Sequence, residues 1–153
     1  MAQNATTDLL SLDNEVFTAY LYWSGILVLK ILAMAILTGL QRFRTGTFAN
    51  PEDCMSKKDK VTYDNPYVER VRRAHLNDLE NILPFFAAGF FYILTNPSAF
   101  IAINLFRAVA AARILHTIVY AVVVIPQPAR ALSFFVAFLA TGYMALQVVL
   151  YAL

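Results

Sequence analysis

The stretch Ala131-Leu132-Ser133-Phe134-Phe135-Val136-Ala137-Phe138-Leu139-Ala140-Thr141-Gly142-Tyr143-Met144-Ala145-Leu146-Gln147-Val148-Val149-Leu150-Tyr151-Ala152-Leu153 runs for 23 residues without a charged side chain. At ~1.5 Å per helical residue it is about 34 Å long, enough to cross the ~30 Å hydrocarbon core of a bilayer. A helix on a soluble domain keeps a charged or polar face toward water. This one has only scattered Ser, Thr, Gln and Tyr, so it reads as a membrane span.

Upstream the pattern repeats. Pro126-Gln127-Pro128-Ala129-Arg130 is a short polar break, preceded by the apolar run Ala99–Ile125, which is interrupted by Arg107, Arg113 and His116. Asn96-Pro97-Ser98 reads as a turn. Before it, Leu79–Leu94 contains Pro84, which should kink the helix or mark tight packing. With the preceding helical turn this gives a span of about 76–94. A further apolar run, Val16–Leu40, is broken by Lys30. The expectation is an all-α integral membrane protein: one domain over residues 1–153, an antiparallel bundle of four transmembrane helices at about 16–40, 76–94, 99–125 and 131–153.

Composition agrees. Of 153 residues, 59% are hydrophobic and 14% charged, against roughly 45–50% and 25% for soluble domains; mean hydropathy is +0.59. A net charge of +2 is too balanced to argue for a nucleic-acid partner. The lone Cys54 excludes an intrachain disulfide and a multi-thiolate metal site.

The connection at about 41–75 carries Arg42, Arg44, Lys57, Lys58, Lys60, Arg70, Arg72 and Arg73, eight of the twelve basic residues. Asn50-Pro51 and Asn65-Pro66 punctuate it as turns. Basic connections favour the cytoplasm, which puts this loop and Arg130 on the cytosolic side and the termini opposite. Residues 1–15 hold acids and no Lys or Arg, so no cleaved secretory signal is expected. Asn4-Ala5-Thr6 fits a glycosylation sequon on the far side.

An ionised group in mid-bilayer costs ~2.5–3.5 kcal/mol, so it needs a partner or a wet cavity. Arg113, His116 and Tyr120 share one helical face by spacing, as do Arg73, Asn77 and Glu80, with Arg70 one turn earlier. Arg42 ends the first span and Arg130 opens the fourth. Plainer roles compete: Arg42, Arg44, Arg70 and Arg72 suit headgroup anchors, Glu69 with Arg73 suits a surface pair, Tyr120 an interfacial aromatic and His116 a satisfied core histidine. Those roles leave unexplained why four segments bring polar groups to one membrane face, three of them with Arg. Such a cluster suits a small polyanionic ligand. No glycine-rich phosphate loop, HExxH or GxSxG competes, and His75 and His116, 41 residues apart, have no evident third partner for a metal.

Phe48-Ala49-Asn50-Pro51-Glu52-Asp53-Cys54 and Val68-Glu69-Arg70-Val71-Arg72-Arg73-Ala74-His75-Leu76-Asn77-Asp78-Leu79-Glu80-Asn81 resemble the MAPEG family, membrane-associated proteins of eicosanoid and glutathione metabolism. The resemblance continues through Ala112-Arg113-Ile114, His116-Thr117-Ile118, Pro126-Gln127-Pro128 and Arg130-Ala131-Leu132-Ser133-Phe134-Phe135, and spans about Asp13 to Tyr151. It implies a homotrimer in the endoplasmic reticulum membrane, with the outer mitochondrial membrane as a second site. Glutathione would sit between neighbouring subunits near the cytosol. It further implies glutathione contacts from Arg42, Arg72, Arg73, His75, Asn77, Glu80, His116 and Tyr120, with Arg130 beside the sulfur as the catalytic group. Cys54 corresponds to a thiol whose modification activates relatives. The implied activity is conjugation of glutathione to hydrophobic electrophiles, with peroxidase activity on lipid hydroperoxides in a related branch. In the prostaglandin E synthase branch Leu76, Ala131 and Phe134 would be Arg, Ser and Tyr, which argues against that isomerase. A non-catalytic channel or scaffold is the reading from another class.

Overall fold

The computed structural model describes residues 8–153; the Asn4-Ala5-Thr6 sequon lies outside them. Four long helices dominate. Helix α1, Glu15–Thr45, starts at Asn14, whose side chain accepts hydrogen bonds from the amides of Val16 and Phe17. It ends at Gly46, which turns left-handed (φ 58°) so that its N–H reaches the carbonyls of Arg42 and Phe43. Glycine pays no Cβ penalty there. Helix α2 is Pro66–Leu94, and α3 is Ala99–Thr117, prolonged by a single π-helical turn at Ile118–Val122. Helix α4 is Ala129–Ala152. Two short strands depart from pure helix: β1 (Thr47–Phe48) pairs in parallel with β2 (Lys60–Val61), Thr47 opposite Lys60 and Phe48 opposite Val61. The all-α expectation therefore holds for the bundle, and the connection adds this small clasp.

Boundaries shift where polar sequence hides helix. Asn65 is an N-cap accepting from the amides of Tyr67 and Val68, with Pro66 in the first turn. The Asn-Pro pair thus opens a helix instead of marking only a turn. Helix α2 starts at Pro66, not Leu76, and the link between α1 and α2 shrinks from 41–75 to 46–65. The third run stops being helical after Val122. Pro84 sits within an uninterrupted α2. Three helices, Glu15–Thr45, Ala99–Val122 and Ala129–Ala152, are long and apolar enough to cross a membrane. The first half of α2 is too rich in charged and amide side chains to meet that standard.

Helix α3 packs against α4 and α1, and α2 against α1 and α4. The core between them is aromatic: the Tyr20 ring lies 5.6 Å from Phe106 and 6.1 Å from Phe85, edge-on or tilted, the geometries such rings prefer. The Tyr20 hydroxyl donates to the Phe86 carbonyl at 2.8 Å. Outward, Leu29, Leu32, Ile36, Leu139 and Leu146 are all more than half exposed. An apolar exterior of that kind suits lipid as the solvent.

Candidate functional site

Beneath the site lies a cluster of buried charges. Arg113 and Asp78 are fully buried. Arg113 Nη2 donates to Asp78 Oδ1 at 2.5 Å and to Asn77 Oδ1 at 2.9 Å. Lys30, from α1, forms an ion pair with Asp78 Oδ2, and the Thr117 hydroxyl donates to the same oxygen at 3.3 Å. Asp78 thus ties α1 to α3 through α2. One anion faces two cations, so the cluster carries a net positive charge, and Nε and Nη1 of Arg113 have no partner among the described residues. The Arg113 guanidinium can only donate. Where it approaches His116 Nδ1 at 3.4 Å, that nitrogen is therefore the acceptor. Asn77, accepting through Oδ1, turns its amide NH2 the other way.

Above this cluster Arg73, Asn77, Glu80, His116, Tyr120 and Arg130 line one cavity of about 390 Å³, within the ~300–1,000 Å³ usual for small-molecule sites. The Arg130 guanidinium stacks 4.6 Å from the Tyr120 ring centroid, a cation–π contact. The His116 and Tyr120 rings meet edge to face at 5.6 Å. The π turn carries Tyr120, and Arg130 stands in the first turn of α4. The ion pairs among the described residues are Lys30–Asp78, Glu69–Arg72 and Asp78–Arg113. Arg73, Arg130 and Glu80 therefore enter the cavity as unpaired charges. Leu76, Ala131 and Phe134 also line it.

A larger groove of about 780 Å³ adjoins it between α2 and α4, sharing Asn77, Glu80 and Phe134 and continuing along Pro84, Phe91 and Phe138. Its walls are overwhelmingly apolar. A polar chamber thus opens directly into a hydrophobic channel.

Six of the nine residues predicted to bind or catalyse meet in the polar cavity. The others lie elsewhere in the chain. Arg72 and His75 line a separate cleft against Ala35 and Thr38 of α1, and the half-buried Arg42 lines neither space. The cavity draws on α2, α3 with its π turn, and α4, so α1 does not contribute to the expected four-segment convergence within one chain. Arg70, placed by spacing on the Arg73 stripe, lines a different cleft. The surface pair forms one residue earlier than spacing suggests, as Glu69–Arg72 at 2.7 Å, which leaves Arg73 free. Arg113 is the buried support of the site and not part of its wall. Cys54 is a half-buried free thiol. Sequence reasoning missed Asp78 and Lys30 as partners. The signal that could have found them was Lys30 itself, a charge in mid-span that demands an anion. No group of three His, Cys, Asp or Glu side chains able to hold a metal occurs among the described residues.

Comparison of the sequence with known proteins points to one family. The MAPEG family model covers residues 20–150, and the chain belongs to that family. It is 45% identical over 139 residues to human microsomal glutathione S-transferase 1, covering 88% of this chain and 89% of that protein. The rat protein of the same name is 43% identical over the same shares. Bovine prostaglandin E synthase is 38% identical over 140 residues, 90% of each chain.

Proposed function

We propose that this protein is a membrane-bound glutathione transferase that joins the glutathione sulfur to hydrophobic electrophiles. The observation that carries the reading is the cavity's charge pattern. Two unpaired guanidiniums, Arg73 and Arg130, and one unpaired carboxylate, Glu80, surround a space with amide, imidazole and phenol groups. Glutathione presents the complement: two carboxylates for arginine forks and one ammonium for a carboxylate. The similarity to microsomal glutathione S-transferase 1 supports the same ligand.

The chemistry asks little beyond placement and charge. The glutathione thiol, with a pKa near ~8.5, is mostly protonated at neutral pH, and the thiolate is the nucleophile. Arg130 beside the sulfur stabilises the thiolate and, being permanently protonated, takes no proton itself. The thiol proton passes to water. The thiolate then forms a carbon–sulfur bond and the electrophile's leaving group departs with its electron pair. The adjoining apolar groove supplies a route by which a lipid-soluble electrophile, or a lipid hydroperoxide for peroxidase turnover, reaches the sulfur from the bilayer. Holding both reactants in contact contributes the rest.

We assign all four helices as antiparallel spans of a homotrimer in the endoplasmic reticulum membrane, with the cavity toward the cytosol and the outer mitochondrial membrane as a second location. In the trimer, Arg42, Arg72 and His75 reach glutathione bound by a neighbouring copy, which accounts for polar groups on a face that does not line the chain's own cavity. Cys54 is assigned as a regulatory thiol. Prostaglandin H isomerisation is the second reading, favoured by the prostaglandin E synthase relatives. Leu76, Ala131 and Phe134 stand at the cavity wall where that branch is polar, which disfavours it. Arg130→Leu should lower turnover of chlorodinitrobenzene by about 10²-fold or more, the scale for losing one preorganised charge-stabilising donor. The dissociation constant for glutathione should change far less. Unchanged turnover would remove Arg130 from the chemistry, and prostaglandin H turnover exceeding conjugation in the parent would replace the transferase reading.

A further inference from the structure

A second basic cleft lies beside the first site. Arg44 from the last turn of α1 and Arg70 from the start of α2 line a space of about 460 Å³ together with Gln41 and Tyr67. Its remaining wall includes Ala121, Val122 and Val124. Tyr120 lines the glutathione cavity and Ala121 this cleft, so the π turn divides the two. Neither Arg44 nor Arg70 takes part in any ion pair among the described residues, and the adjacent acid, Glu69, is engaged by Arg72. Thr45 directs its hydroxyl to the Gln41 carbonyl at 2.8 Å, leaving the two guanidiniums, the Gln41 amide and the Tyr67 phenol as free hydrogen-bonding groups. Two like charges across one cleft repel, and an anion between them reverses the sign of the interaction. Guanidinium forks match a phosphate particularly well.

The surroundings decide what carries the phosphate. On the cleft's bilayer side, Ile118 and Leu115 of α3, about one and two turns before Val122, are 42 and 50% exposed. On α1, Leu40, one helical turn before Arg44, is 59% exposed. A soluble anion has no use for that apolar margin, whereas an acyl chain does. The first apolar run ends at about Leu40, so Arg44 stands one turn beyond it, at the depth where hydrocarbon gives way to headgroups. Basic pockets between transmembrane helices bind anionic lipid headgroups. We propose that the cleft between Arg44 and Arg70 holds the phosphate of an anionic phospholipid, whose chain runs into the bilayer past Leu40 of α1 and Ile118 of α3.

The test is native mass spectrometry of the full-length protein in detergent, titrated separately with phosphatidate, phosphatidylcholine and inorganic phosphate. The parent should retain one phosphatidate per chain and release phosphatidylcholine. Arg44→Gln and Arg70→Gln should each weaken phosphatidate retention by roughly fivefold, and Arg107→Gln, at an exposed arginine elsewhere, should not. Thermal unfolding in phosphatidylcholine checks that the variants fold. If a Gln variant does not, Arg44→Lys and Arg70→Lys keep the charge, lose the fork, and should still weaken retention. Equal retention of phosphatidylcholine, or retention undiminished in Arg44→Gln/Arg70→Gln, overturns the site. Inorganic phosphate binding as tightly as phosphatidate overturns the lipid assignment.

Discussion

Replacing Asp78 by Asn removes the anion from the buried cluster and leaves Lys30 and Arg113 facing a neutral amide. All three side chains are at least nine-tenths buried, so water cannot restore the lost solvation. Breaking a buried ion pair from one side costs ~3–5 kcal/mol, because the stranded charge keeps its desolvation penalty. The amide carbonyl that Asp78→Asn introduces can still accept one bond from Arg113, which favours the lower end of that range. Lys30→Met in the same chain returns the cluster to its parental net charge. The double variant should therefore recover ~1–3 kcal/mol relative to the sum of the single variants, as expected for groups in direct contact. Replacing the whole cluster by Lys30→Met, Asp78→Leu and Arg113→Met should give stability near the parent or above it. That triple variant should still bind glutathione poorly, because Arg113 orients Asn77 and His116. The assay is unfolding by dodecyl sulfate in mixed micelles, followed by helical circular dichroism, with glutathione affinity measured in parallel. An Asp78→Asn cost below ~1 kcal/mol would refute the claim that these charges are dry and mutually dependent.

Gly46→Ala forces a Cβ into a left-handed position (φ 58°) and to within 3.2 Å of Asp59 Oδ1. It should cost ~1–2 kcal/mol, measured by the same unfolding titration. If glutathione is held between copies, co-assembling Arg42→Ala chains with Arg130→Leu chains should give more conjugation per chain than either variant alone; activity that never exceeds the average of the two would argue for sites built within one chain. N-ethylmaleimide should raise conjugation by the parent and leave Cys54→Ala unaffected, as followed by chlorodinitrobenzene turnover.

The helices are legible in the sequence because long apolar runs leave few alternatives to a hydrogen-bonded span. The charge-free segment 131–153 lies almost wholly within α4 (Ala129–Ala152). Helix α2 reads short because its first three turns are rich in charge and their apolar stripe is only the small residues Val68, Val71 and Ala74, although Asn65 followed by Pro66 is a cap signature in plain view. For the site, spacing groups Arg73 with Asn77 and Glu80 correctly, since residues four and seven apart share a helix face. It does not identify Asp78 as the shared partner of Lys30 and Arg113, because the three lie on different helices and meet only through packing.

What the amino-acid sequence determined by itself was the class of molecule: apolar helices for lipid, and a small set of charges too costly to place there idly. Tertiary structure decided what each charge does. Arg70, Arg72 and Arg73 are near neighbours in the chain, yet they enter three different spaces. Each residue advances ~100° around the helix, and which neighbour occupies each direction is set by how α1, α3 and α4 pack around α2.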